Sequence, residues 1–329
     1  MKTIIFLILL FIFINFKSKN EYFSADNYQQ QLIKKQPIKK IKFSLSEINK
    51  EFEKTKYSMV LFQIKNNKVK IVNKKNIMGY QNSRIKFLVS LFEETLKNYK
   101  INDTLFLVNV NDNIPKSNIP FLGCVYEKGN NCLAIPINWC HYFGTKDKLF
   151  EPKYFDLSIQ KYKDESFNLG KKDKLSSKII FRGKNNCLER RKLASFEKKY
   201  SNLIDVKLTR NKKDKHFIDN KIIRKNYDKF FCIRGMGKWT GSLNQFVLAD
   251  GVIFIIEENC KQPFELLLEP MVDYVPIKKD FSNFEKQIKL SQNPELMLNI
   301  RNNLKKKTDF FNSRNIMEYI YLCINNLYL

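Results

Sequence analysis

Three short blocks between residues 179 and 276 hold the side chains best suited to bind and move a charged group. They are IIFRGKNNCLERRKL (179–193), YDKFFCIRGMGKWTGSLNQFVLADGVIFII (227–256) and LEPMVDYVP (268–276). Each reads as strand, tight turn, then helix or strand, with glycine and arginine at the turns. An α/β domain presents phosphate-binding groups in this way, at the carboxyl ends of its strands. In the first block, Arg182 or Arg190 is placed to fork onto phosphate oxygens, and Gly183 lets backbone approach them. The plainer reading is a turn with solvent-exposed arginines. In the second block, Arg234, Gly235, Gly237 and Lys238 make a cationic glycine-rich turn, and Thr240 or Ser242 can cap the helix after it. The competing reading is a simple connector, because neither the GK[ST] spacing of a Walker loop nor GxGxxG is present.

A carboxylate is the natural partner for such a site. Asp112 follows a buried-type strand at its carboxyl end, where functional carboxylates often stand. Its alternative role is a turn residue ahead of Pro115. No Asp-x-Asp pair follows a strand, which argues against a metal-dependent transferase. No Gly-x-Ser-x-Gly elbow is present, which argues against a serine hydrolase. His141 and His216 are the only histidines, so a His-rich metal site is excluded.

The elements that must position these residues alternate between strand and helix. A short helix starts at Ser46-Glu47-Ile48, with Leu45, Ile48 and Phe52 on one side. Strands Met59–Ile64 and Val69–Val72 flank Asn66-Asn67, a hairpin signal. A helix follows Asn82-Ser83, with Ile85, Leu88, Leu91, Phe92 and Leu96 on its apolar face. Thr104–Val110 and Phe121–Tyr126 read as strands. Residues 161–178 carry almost nothing apolar and mark the boundary between an N-terminal α/β domain (26–165) and a C-terminal one (178–329). Beyond it come strand Ile179–Phe181, helix Glu189–Tyr200, strand Phe230–Ile233, helix Ser242–Ala249 and strand Val252–Ile256. Pro294 opens a further helix, and Ile316, Ile320 and Ile324 form the spine of the last. The expected architecture is two α/β units with a cleft between them.

Composition narrows the function classes. The chain has 329 residues, 43% hydrophobic and 14% aromatic, which suits a folded protein with room for two cores. The formal charge is +26, but the lysines spread along the whole chain and form no stripe. Nucleic acid is therefore not the expected partner; a basic cleft drawing a nucleotide diphosphate is. At the amino terminus, Lys2 and the apolar run 4–16 fit a secretory signal peptide over 1–25, with Phe23-Ser24-Ala25 as a poor cleavage site. An uncleaved signal anchor at 4–16 is the alternative, and the run is short for a membrane span. Either places the body in a secretory lumen (ER or Golgi), anchored or secreted. Seven cysteines suit that compartment and leave one unpaired, and Asn102-Asp103-Thr104 is a glycosylation sequon.

Taken in order, the three blocks with DTLFLVNVNDNIP and PFLGCVYEKGNNCLAIPINW upstream resemble glycosyltransferase family 90. That family includes protein O-glucosyltransferases and a capsule-associated xylosyltransferase, and the likeness runs from about Leu45 to Leu327. The resemblance implies two Rossmann-like domains facing a cleft, the GT-B type. It also implies inverting, metal-independent transfer of glucose or xylose from a UDP-sugar, with no permanently bound cofactor. Arg182, Gly183, Arg190 and the turn 234–242 would hold the UDP diphosphate. The first half, with Asp112 on its rim, would face a secretory protein or glycan acceptor. Two departures accompany the likeness. The family's proposed catalytic aspartate falls on Cys132, whose thiol is a poor base. A family arginine falls on Ser242, with Lys238 in a one-residue insertion partly replacing its charge, and Met271 replaces a tryptophan. An active enzyme then needs a relocated base, Asp112 or Glu127; the other outcome is an impaired relative that binds glycan or protein.

Overall fold

The computed structural model describes residues 28–36, 43–167, 177–211 and 213–327. The signal or anchor segment, including 4–16 and the cleavage site at 23–25, lies outside them. Among the described residues, no helix is long and apolar enough to cross a membrane.

Local chemistry sets the first elements. Ser44 and Glu47 form a reciprocal capping box at the start of helix α1 (Leu45–Lys54), which buries Ile48 and Phe52. Leu45, expected on that face, is the first residue of the helix and is 62% exposed. Asn66 and Asn67 both take left-handed backbone, φ 52° and 56°, the geometry of a type I′ hairpin turn. They join β1 (Met59–Lys65) to β2 (Lys68–Lys75) antiparallel. Helix α2 (Asn82–Asn98) buries Ile85, Leu88, Leu91, Phe92 and Leu96 as predicted, and also Arg84.

The first sheet has the order β2-β1-β3-β4-β6, with β3 (Thr104–Asn109), β4 (Phe121–Gly123) and β6 (Cys132–Ala134). Its β1 pairs antiparallel with β3, while β3, β4 and β6 run parallel. This half departs from a Rossmann-like sheet: a hairpin forms one edge, and loops rather than helices link its parallel strands. The predicted strand 121–126 is two pieces, β4 and β5 (Tyr126–Glu127).

The second sheet is parallel throughout and contains β7 (Ile179–Lys184), β8 (Ile204–Thr209), β9 (Lys229–Cys232), β10 (Val252–Ile256) and β12 (Val275–Ile277). Its order is β12-β10-β9-β7-β8. Alternate residues serve opposite faces, as a strand requires. Ile180, Phe230, Cys232, Ile253 and Ile255 join the apolar core shared with the first half. Ile179, Phe181, Phe231, Phe254 and Ile256 form a separate core on the outer face.

Three features tie the halves together. A two-stranded ribbon pairs β5 with β11 (Cys260–Lys261), matching Glu127 to Lys261's neighbour Cys260 and Tyr126 to Lys261. Helix α3 (Pro152–Phe167) runs through the start of the polar stretch taken from sequence as a boundary. The last helix (Ser313–Leu327) lies in the sequence's second half, yet it returns to the first. Its Tyr319 hydroxyl bonds the Ala134 carbonyl, and Tyr321 stacks on Tyr99. All seven cysteines are free thiols, six of them buried, so the count that suits an oxidising compartment is matched by no bridge.

Candidate active site

Strand order locates the site. Numbered along the chain, the second sheet runs 2-1-3-4-5, which reverses direction between β7 and β9. Ligands of open α/β sheets bind at the carboxyl ends of the strands flanking such a reversal. The two turns leaving that point are 184–188 and 233–240, inside the first and second sequence blocks. A separate 510 Å³ cavity, bordered by Ser177, Asn202 and Arg301, lies at the amino ends of the same strands, away from these turns.

Arg190, on helix α4 (Leu188–Ser195), spans the two turns. Its Nε donates to the Arg234 carbonyl at 2.7 Å, and its terminal nitrogens donate to the carbonyls of Ile233 and Lys184, each at 3.1 Å. The guanidinium lies over the Phe181 ring, 5.4 Å from its centre. Glycine leaves room for it on both sides. A Cβ on Gly183 would stand 3.2 Å from Arg190 and 2.6 Å from the Phe181 ring; one on Gly235 would stand 3.5 Å from Arg190 and 3.2 Å from Asn186. No carboxylate pairs with Arg190 among the described residues, and burial draws its pKa below the usual guanidinium value. An arginine has more donors than these three bonds use. Beside it, Oδ1 of Asn186 is buried with no partner.

The other predicted phosphate-binding arginines are already neutralised. Arg182 donates to both carboxylate oxygens of Asp205 at 2.8 Å and to the Phe181 and Asp205 carbonyls at 2.9 Å. Its side chain is 8% exposed. It is turned along the sheet to β8, away from the two turns. Burial works to raise the Asp205 carboxyl, but its bonds from Arg182 and Tyr227 outweigh this and hold it low. Arg234 pairs with Glu189 at 2.9 Å and Glu258 at 2.6 Å, and Lys279 approaches the same two acids.

The glycine-rich turn then crosses to the first half. A Cβ on Gly237 would stand 2.9 Å from the Asp112 Cβ, so glycine permits this close approach. Trp239 Nε1 donates to Asp112 Oδ1 at 2.8 Å, and Arg84 donates to the same oxygen at 2.7 Å. Arg84 is 2% exposed and also holds the Val110 carbonyl at 2.6 Å. Lys238 Nζ donates to Glu127 Oε2 at 2.8 Å, and this bond keeps the Glu127 carboxyl below its ordinary value. Thr240 and Ser242 hydrogen-bond each other at 2.9 Å. Thr240 occupies the cap position of the helix Gly241–Phe246, but its side chain does not cap it.

Cys132 does not reach this space. It is fully buried on β6, its Sγ donating to the Val125 carbonyl at 3.3 Å, and burial pushes its thiol well above the usual range. A carboxylate there would face core atoms, with Gly123 packed directly against the sulfur. Sequence reasoning missed Arg84, Asn186, Asp205 and the anchoring role of Trp239. Arg84 had a readable signal: with Leu88 and Leu91 it falls on the apolar stripe of α2, where a charge requires a partner.

The chain matches the family model described as Glycosyl transferase family 90 over residues 39–327, nearly its whole length, and it belongs to that family. No curated protein matches it.

Proposed function

Starting from membership of family 90, we propose that this glycosyltransferase moves a sugar, glucose or xylose, from a UDP-sugar to a hydroxyl of a protein or glycan acceptor. The reading is an inverting, metal-independent transfer in a GT-B type cleft. One observation carries it. A single glycine-rich turn packs Gly235 against the unpaired cation Arg190 and Gly237 against Asp112. The turn thereby brings a cation and a carboxylate to positions two residues apart on one loop.

In this reading Arg190 and the glycine-lined turns hold the diphosphate, and Asp112 is the base. Its Oδ1 is fixed by Arg84 and Trp239, which leaves Oδ2 to take the acceptor proton. The acceptor oxygen then bonds the anomeric carbon as the bond from that carbon to the β-phosphate oxygen breaks. Positive charge at Arg190 stabilises the departing UDP. The apolar run 4–16 supports a secretory address.

A second reading, an impaired relative that binds glycan or protein, is favoured by one feature. Arg182, Arg234 and Lys238 are all engaged by acids, which leaves Arg190 as the chief unpaired cation of the site. Calorimetric titration with UDP, followed by UDP release from UDP-glucose and UDP-xylose, separates the two. UDP binding with turnover supports the first; binding without turnover supports the second. Absence of UDP binding removes the donor site from both.

A further inference from the structure

A cavity of about 730 Å³ lies beside the glycine-rich turn and is used by none of the chemistry above. Both halves wall it. Tyr142 comes from the first half, Tyr154 and Tyr162 from α3, and Phe217, Asn220 and Gln245 from the second. It shares a wall with the donor turn: a Cβ on Gly241 would overlap the Tyr142 hydroxyl, and Gln245 lies one helical turn beyond Gly241.

The chemistry of the lining selects a ligand class. Its acids are engaged internally, and Lys161 and His141 also line it. Lys221 pairs with Glu165 at 2.9 Å and Arg224 with the same carboxylate at 3.3 Å, while Asp219 accepts the Lys221 backbone N–H. Arg224 is 4% exposed, stacked over Tyr162 at 4.4 Å, and bonded to Gln245 at 3.0 Å. A phosphate or carboxylate would find only the exposed Lys161, not a half-buried free guanidinium of the kind Arg190 provides. Neutral hydroxyls would find amide groups at Asn220 and Gln245. Aromatic surface is available as well: Tyr154 is 43% and Phe217 36% exposed on the cavity wall. Faces with apolar C–H groups and rims with hydroxyls describe a sugar, and the volume falls in the range of small-ligand pockets.

We propose that this cavity seats the acceptor, and that the acceptor is a neutral glycan of about two sugar units rather than a folded protein surface. The proposal rests on the donor reading for its role as acceptor site; the binding itself does not need it. The test is ligand-observed NMR on the full chain with cellobiose, xylobiose and a serine-containing hexapeptide, alongside calorimetry with UDP. The expected result is binding of at least one disaccharide, weakened about tenfold by Tyr154→Ala and by Phe217→Ala, as truncating an aromatic anchor does. UDP affinity should stay within about twofold in both variants, while Arg190→Ala should show the opposite pattern. Both substituted side chains are exposed, so folding is preserved, and circular dichroism checks it. No disaccharide binding, or unchanged binding in both variants, overturns the proposal. So does a loss of UDP affinity in Tyr154→Ala, which would give the cavity to the nucleotide. Tighter binding of the peptide, lost in the same variants, overturns it in favour of a protein acceptor. If wild-type protein binds no UDP but binds a disaccharide through Tyr154, the donor reading fails and the glycan site stands.

Discussion

The two rims that meet at the glycine-rich turn are held in different ways. At the rim of the second sheet three arginines are held by their own half: Arg182 by Asp205, Arg234 by Glu189 and Glu258, and Arg190 by the carbonyls of Lys184, Ile233 and Arg234. On the first half, each carboxylate takes a bond from across the junction: Asp112 from Trp239, and Glu127 from Lys238. The arginine rim is therefore complete within one half. The acidic rim is completed only where the halves meet. Nucleotide affinity should then follow the second half alone, while transfer should follow the junction.

The strongest way to break that division is Asp112→Asn. It keeps the bond from Arg84 or Trp239 to the remaining carbonyl oxygen but removes the base. Transfer, read as UDP release, should fall about 10²–10⁴-fold, with UDP affinity nearly unchanged. A drop in UDP affinity of comparable size would mean that the acidic rim belongs to the donor site.

Arg182→Met probes the opposite claim, that an arginine in the first block serves the fold. Removing one partner of a buried pair costs about 3–5 kcal/mol of stability, measured by urea unfolding, and should leave UDP affinity within error. The pH dependence has a definite sign. Asp205 is depressed in the folded protein, so the pair's contribution is present at neutral pH and lost as pH falls through that depressed value. The gap between wild type and variant should narrow below about pH 4. Lost UDP affinity with normal stability would return Arg182 to the phosphate.

Next in size is Arg190→Ala, which removes the unpaired cation. A charge-assisted bond contributes about 1.5–3 kcal/mol, so UDP should bind roughly 10–100-fold more weakly. Unchanged calorimetric affinity would remove the basis for placing the diphosphate here.

Arg182 and Arg190 also show what the sequence could and could not tell. Both stand at the same strand end, in the same block, with the same charge. What separates them is Asp205, which lies in a strand that went unread. Ile204–Thr209 alternates apolar residues with Asp205 and Lys207 on a sheet edge, so its pattern is too polar to stand out. Missing the strand meant missing the acid that neutralises Arg182. Helix α3 was missed for a related reason. Its polar residues, among them Lys161 and Glu165, read as linker, yet both wall a cavity and Glu165 pairs with α5 (Asn220–Asn226). Where local chemistry decided the outcome, the sequence was legible. The Asn66-Asn67 turn, Pro294 at a helix start and the Ile316, Ile320 and Ile324 spine all stand as read. The site was legible in its turns and opaque in its ion pairs, because a partner is chosen by tertiary packing and a turn by its own residues.

The smallest expected effect tests the junction most directly. Trp239→Phe keeps an aromatic ring against the first half and removes only the indole N–H that reaches Asp112. Arg84 still holds the same oxygen, so the carboxylate keeps its place but loses one of two anchors. One hydrogen bond of net worth near 1 kcal/mol corresponds to a change of about five- to tenfold. If the acidic rim is completed from across the junction, that change should appear in kcat and leave UDP affinity alone, because no contact of Arg190 involves the indole. A second variant, Trp239→Ala, removes the ring as well and should lower kcat further without touching UDP affinity. A change confined to KM for the donor would instead make Trp239 part of nucleotide binding. The two rims would then be one site, held together by the turn, and the division drawn from their hydrogen bonds would be wrong.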